Sequence, residues 1–307
     1  MDLADPTSDT AKEFKSLVTD IMSAQVEPNM SDFFPVLRHL DVQGIRRRMM
    51  GFTLRMSKTM DGFIDGRVAA RKESDYRHVN DVLDVLLDRY EENTLEIDLA
   101  DTKDLFLELF AAGTNTTSIT VEWVMAELIR NPTTLSKVRE EIDRIIGRDR
   151  PIEESDITNL PYLQAVVKET FRMHPPTPLL IPPRAREDTE IMGFTVSGGA
   201  QVLVNVYAND RDPKNWEEPA LFRPERFLGS EIDVKGRNFE LIPFGVGRRI
   251  FPGYPLAQRM VPLMVASMVK VFDWKIQGEE EAMNMDDVFG LVLRKATPLL
   301  AIPTPIK

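Results

Sequence analysis

Two charged side chains in the stretch "KETFR" are the first candidates for chemistry. Glu169 and Arg172 stand three positions apart, which places them on the same face of a helix. A buried carboxylate and guanidinium in this arrangement form a two-pronged ion pair. On a solvated face, the same spacing gives a salt bridge worth less than about 1 kcal/mol. The spacing indicates a functional ion pair only when other motifs accompany it.

The stretch "IPFGVGRRIFPG", residues 242–253, is the second candidate. It combines three glycines and two arginines, a composition typical of loops that hold an anion against backbone N–H groups and guanidinium groups. Phe251 stands where such a loop can present a reactive side chain. A phenyl ring offers no lone pair there, so this residue needs an explanation.

A third candidate is "AAGTNTTSIT", residues 111–120, in the middle of a long predicted helix. Gly113 costs about 1 kcal/mol relative to alanine in a helix interior. The threonine hydroxyls can bond to backbone carbonyls of the preceding turn. The pattern predicts a local opening of the helix lined by hydroxyl groups, and the alternative is a tolerated weak spot.

Composition excludes several classes of function. The sequence has no cysteine, which rules out disulfides, zinc–thiolate sites and thiol catalysis. The net charge of −11 argues against a nucleic-acid-binding protein. No apolar run approaches the ~20 residues of a membrane span, and the acidic N-terminus does not resemble a signal peptide or an anchor. The three histidines are far apart, and we expect a structural hydrogen bond for His174.

Residues 1–175 are predicted to be mainly helical, and residues 176–307 are predicted to contain short strands and irregular segments. Asp101 is expected to cap the long helix that ends before Pro132. The predicted helices lie near residues 10–24, 43–71, 78–93, 101–131, 131–147, 161–174 and 255–274. Strands are predicted in "TEIMGFTV", in "AQVLVNVYA" and near residues 290–303, around a proline-rich stretch at 212–230.

Six motifs occur in one order along the chain: "AGTNTT" (112–117), "KETFR" (168–172), "HPPTP" (174–178), "PPRA" (182–185), "RPERF" (223–227) and "PFGVGRRIFPG" (243–253). This order and spacing resemble the cytochrome P-450 superfamily of haem-thiolate monooxygenases. The earlier helices resemble the plant microsomal branch that oxidises terpenoids in secondary metabolism. The resemblance implies a mainly α fold with small β-sheets, as a single incomplete cytochrome P-450 domain over residues 1–307.

The resemblance also implies roles for individual residues. The haem (iron protoporphyrin) would meet Arg249 and Arg184 at its propionates, and Thr116 with Asn115 would stand at the site of oxygen activation. The other implied positions are a structural triad (Glu169, Arg172, Arg226), residues of the haem-binding loop and helix groove (Phe244, Gly247, Gly253, Gly113) and substrate-lining residues (Leu179, Leu180, Ile181, Leu291).

Three departures from the family pattern matter. Phe251 occupies the position of the cysteine whose thiolate holds the haem iron, and the sequence has no other cysteine. Asn115 replaces the acid that usually precedes the threonine, and an amide does not titrate in a proton relay. From the resemblance, the chain is expected to lack the family's N-terminal part, with its anchor and early strands, and exposed sheet edges and association are expected to follow.

Two functions from different classes follow from the resemblance. The first is hydroxylation of a small apolar substrate, in this branch a terpenoid, with O₂ and electrons from an NADPH-dependent flavoprotein reductase. Loss of the thiolate would impair this activity, although haem bound loosely without a thiolate is an intermediate case. The second is a catalytically silent truncated remnant, or a decoy that binds the reductase. The expected location is the cytosolic face of the endoplasmic reticulum for a complete enzyme, and the cytoplasm for this anchorless chain.

Overall fold

The computed structural model describes residues 7–25, 27–73, 75–92, 98–277 and 283–306. The chain forms two compact units, Met1–Asn115 and Thr116–Lys307. The expectation of a single domain over residues 1–307 stays a prediction. The mainly α class with small β-sheets is confirmed.

Helices form most of the described part of the first unit. They are α1 (Asp9–Gln25), α2 (Met30–Phe33), α3 (Ile45–Ala70), α4 (Val82–Glu91) and the start of α5 (Leu99–Arg130). Apolar residues at helical spacing on α1, α3 and α4 form the core of this unit. The most buried of these side chains are Leu17, Met56, Met60, Ile64 and Leu87.

Helix α5 differs from its prediction in two ways. It begins at Leu99, and its cap is Asp98 rather than Asp101. The Asp98 carboxylate accepts a hydrogen bond from the Asp101 backbone N–H at 2.7 Å, and the Asp101 carboxylate accepts one from the Asp98 N–H at 3.0 Å. This reciprocal pairing satisfies two backbone donors at the helix start and moves the cap towards the N-terminus. The helix also continues without interruption through Gly113, so the predicted opening is not observed.

The described part of the second unit contains the remaining helices and all the described strands. The helices are α6 (Pro132–Ile145), α7 (Pro161–Met173), α8 (Val206–Asn209) and α9 (Tyr254–Val271). The strands are β1 (Thr189–Ile191), β2 (Phe194–Val196), β3 (Phe272–Ile276), β4 (Asp287–Val288), β5 (Arg294–Lys295) and β6 (Ala301–Pro305). Proline occupies the first turn of α6 and α7, where its missing N–H costs nothing.

The core of the second unit forms where α5, α6, α7 and α9 meet. Its fully buried side chains include Leu128, Ile142, Leu163, Val166 and Val265. Burying each such side chain contributes roughly 1.5–3 kcal/mol relative to exposure. Most residues of α7 are buried in this core, which positions Glu169 and Arg172.

The described strands pair only in twos, as β1 with β2, β3 with β6 and β4 with β5, all antiparallel. The strand predicted in "AQVLVNVYA" is wrong: Gln201 forms an isolated bridge with Arg184, and α8 follows at Val206. Apolar β-branched residues gave the strand signal, but the Asn205 side chain accepts a hydrogen bond from the Ala208 N–H at 3.0 Å and starts a helical turn instead. Within the described ranges, no helix is long and apolar enough to cross a membrane.

Candidate functional site

Glu169 and Arg172 form a fully buried ion pair on α7. Arg172 Nε and Nη2 donate to the two carboxylate oxygens of Glu169, both at 2.8 Å. Arg226 Nε donates to Glu169 Oε1 at 3.1 Å, and the Arg223 backbone N–H donates to the same oxygen at 2.8 Å. The structure thus brings together the three residues that the sequence grouped. A buried carboxylate requires this number of donors, because burial removes its water.

The two guanidinium groups also hold the proline-rich stretch against α7. Arg172 Nη1 donates to the carbonyl oxygens of Asp210 and Pro219, both at 2.8 Å. Arg226 Nη1 donates to the Glu217 carbonyl at 2.9 Å. These bonds pair carbonyl groups that an irregular segment leaves without partners. The long segment between α8 and α9 therefore has a fixed path.

The loop at residues 242–253 turns through two glycines in left-handed conformations. Gly245 has φ +76° and Gly247 has φ +67°, values that side chains disfavour. The Gly245 N–H donates to the Ile242 carbonyl at 3.0 Å, and the Phe251 N–H donates to the Phe244 carbonyl at 2.9 Å. The loop then enters α9 at Tyr254.

The Phe251 ring is half-buried and folds onto its own loop. It lies nearly parallel to the Phe244 ring, with centroids 6.3 Å apart and an interplanar angle of 11°. A Cβ added to Gly253 would lie 2.6 Å from Phe251 Cε1. The ring therefore covers Gly253 directly.

Of the predicted substrate-lining residues, Leu180 has an unusual backbone. Its φ of +53° is rare for a branched side chain and is a conformation that concentrates at functional sites. Its Cδ1 atom lies 3.6 Å from the position of a Cβ added to Gly245, so the Leu180 side chain packs beside the loop. Leu179 and Leu291 are half-buried, and Ile181 is exposed.

The two arginines predicted to meet haem propionates lie on exposed parts of the second unit. Arg184 pairs through its backbone with Gln201. Arg249 ends the short 3-10 turn Gly247–Arg249, beside the equally exposed Arg248. Both residues are exposed, and among the described residues neither forms a salt bridge.

The predicted residues of the α5 groove are half-buried and lie close together along the helix. Gly113 and Asn115 belong to the first unit, and Thr116 belongs to the second. The Thr120 hydroxyl donates to the Thr116 carbonyl at 2.8 Å. This bond stays within the helix, which explains how the threonine-rich stretch remains helical.

His174 makes the structural hydrogen bond that the sequence suggested, with Glu127 Oε1 at 2.7 Å from its Nε2. Its ring stacks on Trp123 at 3.8 Å, and burial lowers the pKa of its imidazole while the Glu127 hydrogen bond opposes that shift. Neither Glu127 nor Trp123 was a sequence candidate, because both look like ordinary residues of an amphipathic helix. Glu127 and His174 border a cavity of about 330 Å³ lined by Glu127, Arg130, Met173, His174, Tyr207, Arg211, Met285, Asp286 and Asp287.

The fold and the collinear motifs define a mainly helical protein built around an α7 ion-pair triad and a glycine-rich loop before α9. The family model for Cytochrome P450 matches residues 2–302, and the chain belongs to this family.

The chain is 48% identical to geraniol 8-hydroxylase of Catharanthus roseus over 307 residues, which covers 99% of this chain and 62% of that protein. It is 48% identical to drimenol monooxygenase of Persicaria hydropiper, covering 100% of this chain and 61% of that protein. A zebra fish cytochrome P450 structure with progesterone superposes with a TM-score of 0.79 at 28% identity, covering 98% of this chain and 66% of that one. The chain thus spans less than two thirds of the length of these relatives.

The family implies haem, but the residues of this loop do not fit a haem held by a thiolate. The ligand position carries Phe251, and the sequence contains no cysteine. A phenyl ring cannot donate electrons to iron as a thiolate does. Within the described ranges, no group of three or more histidine or acidic side chains is placed to hold a metal ion.

Proposed function

We propose that this chain derives from haem-dependent monooxygenases that hydroxylate a small apolar terpenoid with O₂ and electrons from an NADPH-dependent flavoprotein reductase, and that Phe251 impairs this activity. The observation that carries the proposal is the combination of an intact Glu169–Arg172–Arg226 triad with a ligand loop that lacks its ligand. The triad supports the family's scaffold, and Phe251 is the departure that would most directly impair the activity.

The proposed substrate class is supported by the relatives and by the apolar character of the residues assigned to the substrate surface. Geraniol and drimenol, which name two relatives, are both small terpenoid alcohols. Leu179, Leu180, Ile181 and Leu291 would supply an apolar surface for such a molecule. We assign Arg184 and Arg249 to the haem propionates and Thr116 to oxygen activation, with Asn115 beside it.

The second candidate function is a catalytically silent protein that binds the reductase. The observation in its favour is the exposed pair Arg248 and Arg249, which lies on the same loop as Phe251. A reductase that recognises this basic surface by its charge would bind the chain without transferring electrons productively. The expected location, at the cytosolic face of the endoplasmic reticulum for a complete enzyme, stays a prediction that cell fractionation can test.

The test is an absorption spectrum of the purified chain after haem addition, reduction and exposure to carbon monoxide, with the Phe251→Cys variant measured beside it. We expect no red-shifted carbon monoxide band in the wild type and a gain of that band in the variant. Product formation from geraniol or drimenol with added reductase is then measured for the variant. The expected result is hydroxylated product above the wild-type background.

Other outcomes distinguish between the two candidate functions. A red-shifted band in the wild type would show that the argument from the missing ligand is wrong. Absence of the band from both proteins, together with retention of the wild type on immobilised reductase, would support the silent binding protein. Loss of that retention in an Arg248→Ser, Arg249→Ser variant would locate the binding surface.

A further inference from the structure

The backbone of the loop is closed by hydrogen bonds that do not involve the side chain at position 251. The Phe251 N–H donates to the Phe244 carbonyl at 2.9 Å, and the Phe251 carbonyl accepts from the Tyr254 N–H at 3.2 Å. The Ile250 N–H donates to the Gly247 carbonyl at 3.2 Å. The side chain of Phe251 is therefore free to serve another purpose within the loop.

The Phe251 ring occupies the space that a side chain at position 253 would need. A Cβ on Gly253 would lie 2.6 Å from Phe251 Cε1 and 3.0 Å from Cζ, and real Cβ contacts essentially never fall below 3.0 Å. The backbone of Gly253 has φ −78° and ψ −2°, which any residue adopts. In this chain, a side chain at position 253 therefore requires the Phe251 ring to move, whereas the backbone conformation would accept it.

The ring also connects the loop to the protein core. Phe251 lies parallel to Phe244, and Phe244 makes an edge contact with Phe171 at 5.1 Å and 70°. Phe171 is buried in α7, and Phe244 packs against the same core. The three rings form an aromatic column (Phe171, Phe244, Phe251) that runs from α7 to the loop. Aromatic pairs in such geometries contribute beyond the area that they bury.

We infer that Phe251 makes this loop a self-packed structural element. Its ring fills the space over Gly253 and completes the aromatic column, so that the loop is held by side-chain packing where the family uses a ligand to iron. Phe251 is therefore a positioning residue for the loop as well as the cause of the missing ligand. This inference extends the proposed function, but it depends on the contact between positions 251 and 253 and does not depend on haem.

A double-mutant cycle tests the contact. Gly253→Ala in the wild-type chain is expected to lower the melting temperature by about 2–4 °C, because the new methyl group displaces the ring from its packing on Phe244. In a Phe251→Ala background the collision is absent. There, Gly253→Ala is expected to leave the melting temperature unchanged or to raise it, since alanine loses less backbone entropy on folding than glycine.

The matched control is Gly66→Ala on α3, where an added Cβ meets nothing within 4 Å. It is expected to change the melting temperature equally in both backgrounds. An equal effect of Gly253→Ala in both backgrounds would overturn the inference, because the ring would then not be what fills the site.

A local measurement is used if the melting temperature of the Phe251→Ala chain is too low for the comparison. The rate of tryptic cleavage after Arg248 and Arg249 reports opening of the loop in the otherwise folded protein. Gly253→Ala should speed this cleavage severalfold with Phe251 present and should leave it unchanged in the Phe251→Ala background. A carbon monoxide band in the wild type would contradict the proposed function without affecting this result, so the two failures are distinguishable.

Discussion

Glu169 has a buried carboxylate whose partners are protein groups. Its side chain is 0% exposed, and it accepts hydrogen bonds from both Arg172 and Arg226. Burying these charges is favourable only because they neutralise one another. The Glu169→Gln variant removes the charge while it keeps the shape, so two guanidinium groups remain without a counter-charge. We expect a loss of about 3–5 kcal/mol in the free energy of unfolding, measured by urea denaturation.

The matched control for this prediction is Glu218→Gln. Glu218 also pairs with an arginine, Arg223 at 3.1 Å, but its side chain is 56% exposed. Exposed pairs contribute up to about 1 kcal/mol, so the control should change the free energy of unfolding by no more than that. Equal losses of unfolding free energy in the two variants would show that burial does not make the triad more stabilising than an exposed pair.

Asp210, at the end of α8, makes the stability of the folded protein depend on pH. It follows α8, its backbone carbonyl accepts a hydrogen bond from Arg172, and its carboxyl oxygen Oδ2 is buried without a hydrogen-bond partner among the described residues. Burial raises the pKa of this carboxyl to about 8, against smaller opposing effects of Asn209 and of Arg172 and Arg211. Folding therefore favours the protonated form.

The raised pKa of Asp210 determines whether stability rises or falls with pH. The native state holds a proton that the unfolded chain releases near its ordinary pKa of 3.8, so stability falls as the pH rises from that value towards about 8. We expect Asp210→Asn to flatten this decline in urea unfolding measured from pH 5 to pH 9. Asp65→Asn, an exposed charge change on α3, controls for net charge. Parallel pH profiles for wild type and Asp210→Asn would contradict the prediction.

At the scale of elements, the helices were predictable and the small strands were less so. The stripe of Met56, Met60 and Ile64 repeats at helical spacing along α3, and it lies in the core of the first unit. The residues after Gln201 have the β-branched composition of a strand, but a strand needs a partner, and the side chain of Asn205 starts a helical turn there. The amino-acid composition of the segment does not show which of the two structures, the strand or the helical turn, is more stable.

At the scale of the whole molecule, the order of six motifs identified the family, and the match over residues 2–302 confirms it. The sequence grouped Glu169, Arg172 and Arg226 through this resemblance, and the structure joins them. The sequence did not predict the packing of Phe251 on Gly253. That contact depends on the direction of the Phe251 side chain, which the spacing of residues does not determine. Nor did it predict Glu127 or Trp123 as partners of His174, since both stand 47 residues or more away along the chain.

The exposed apolar surface of the first unit gives the last prediction. Within residues 33–42, five large apolar side chains are more than half exposed: Phe33, Phe34, Val36, Leu40 and Val42. A group of exposed large apolar side chains favours association. We expect the sedimentation coefficient of the chain to rise with concentration, and the double variant Phe33→Ser, Val36→Ser to weaken that rise. Val79→Ser removes an exposed apolar side chain elsewhere in the sequence and should leave the association unchanged, since single exposed apolar residues are ordinary. A wild type that sediments as a monomer at every concentration would show that this surface does not bind a second copy.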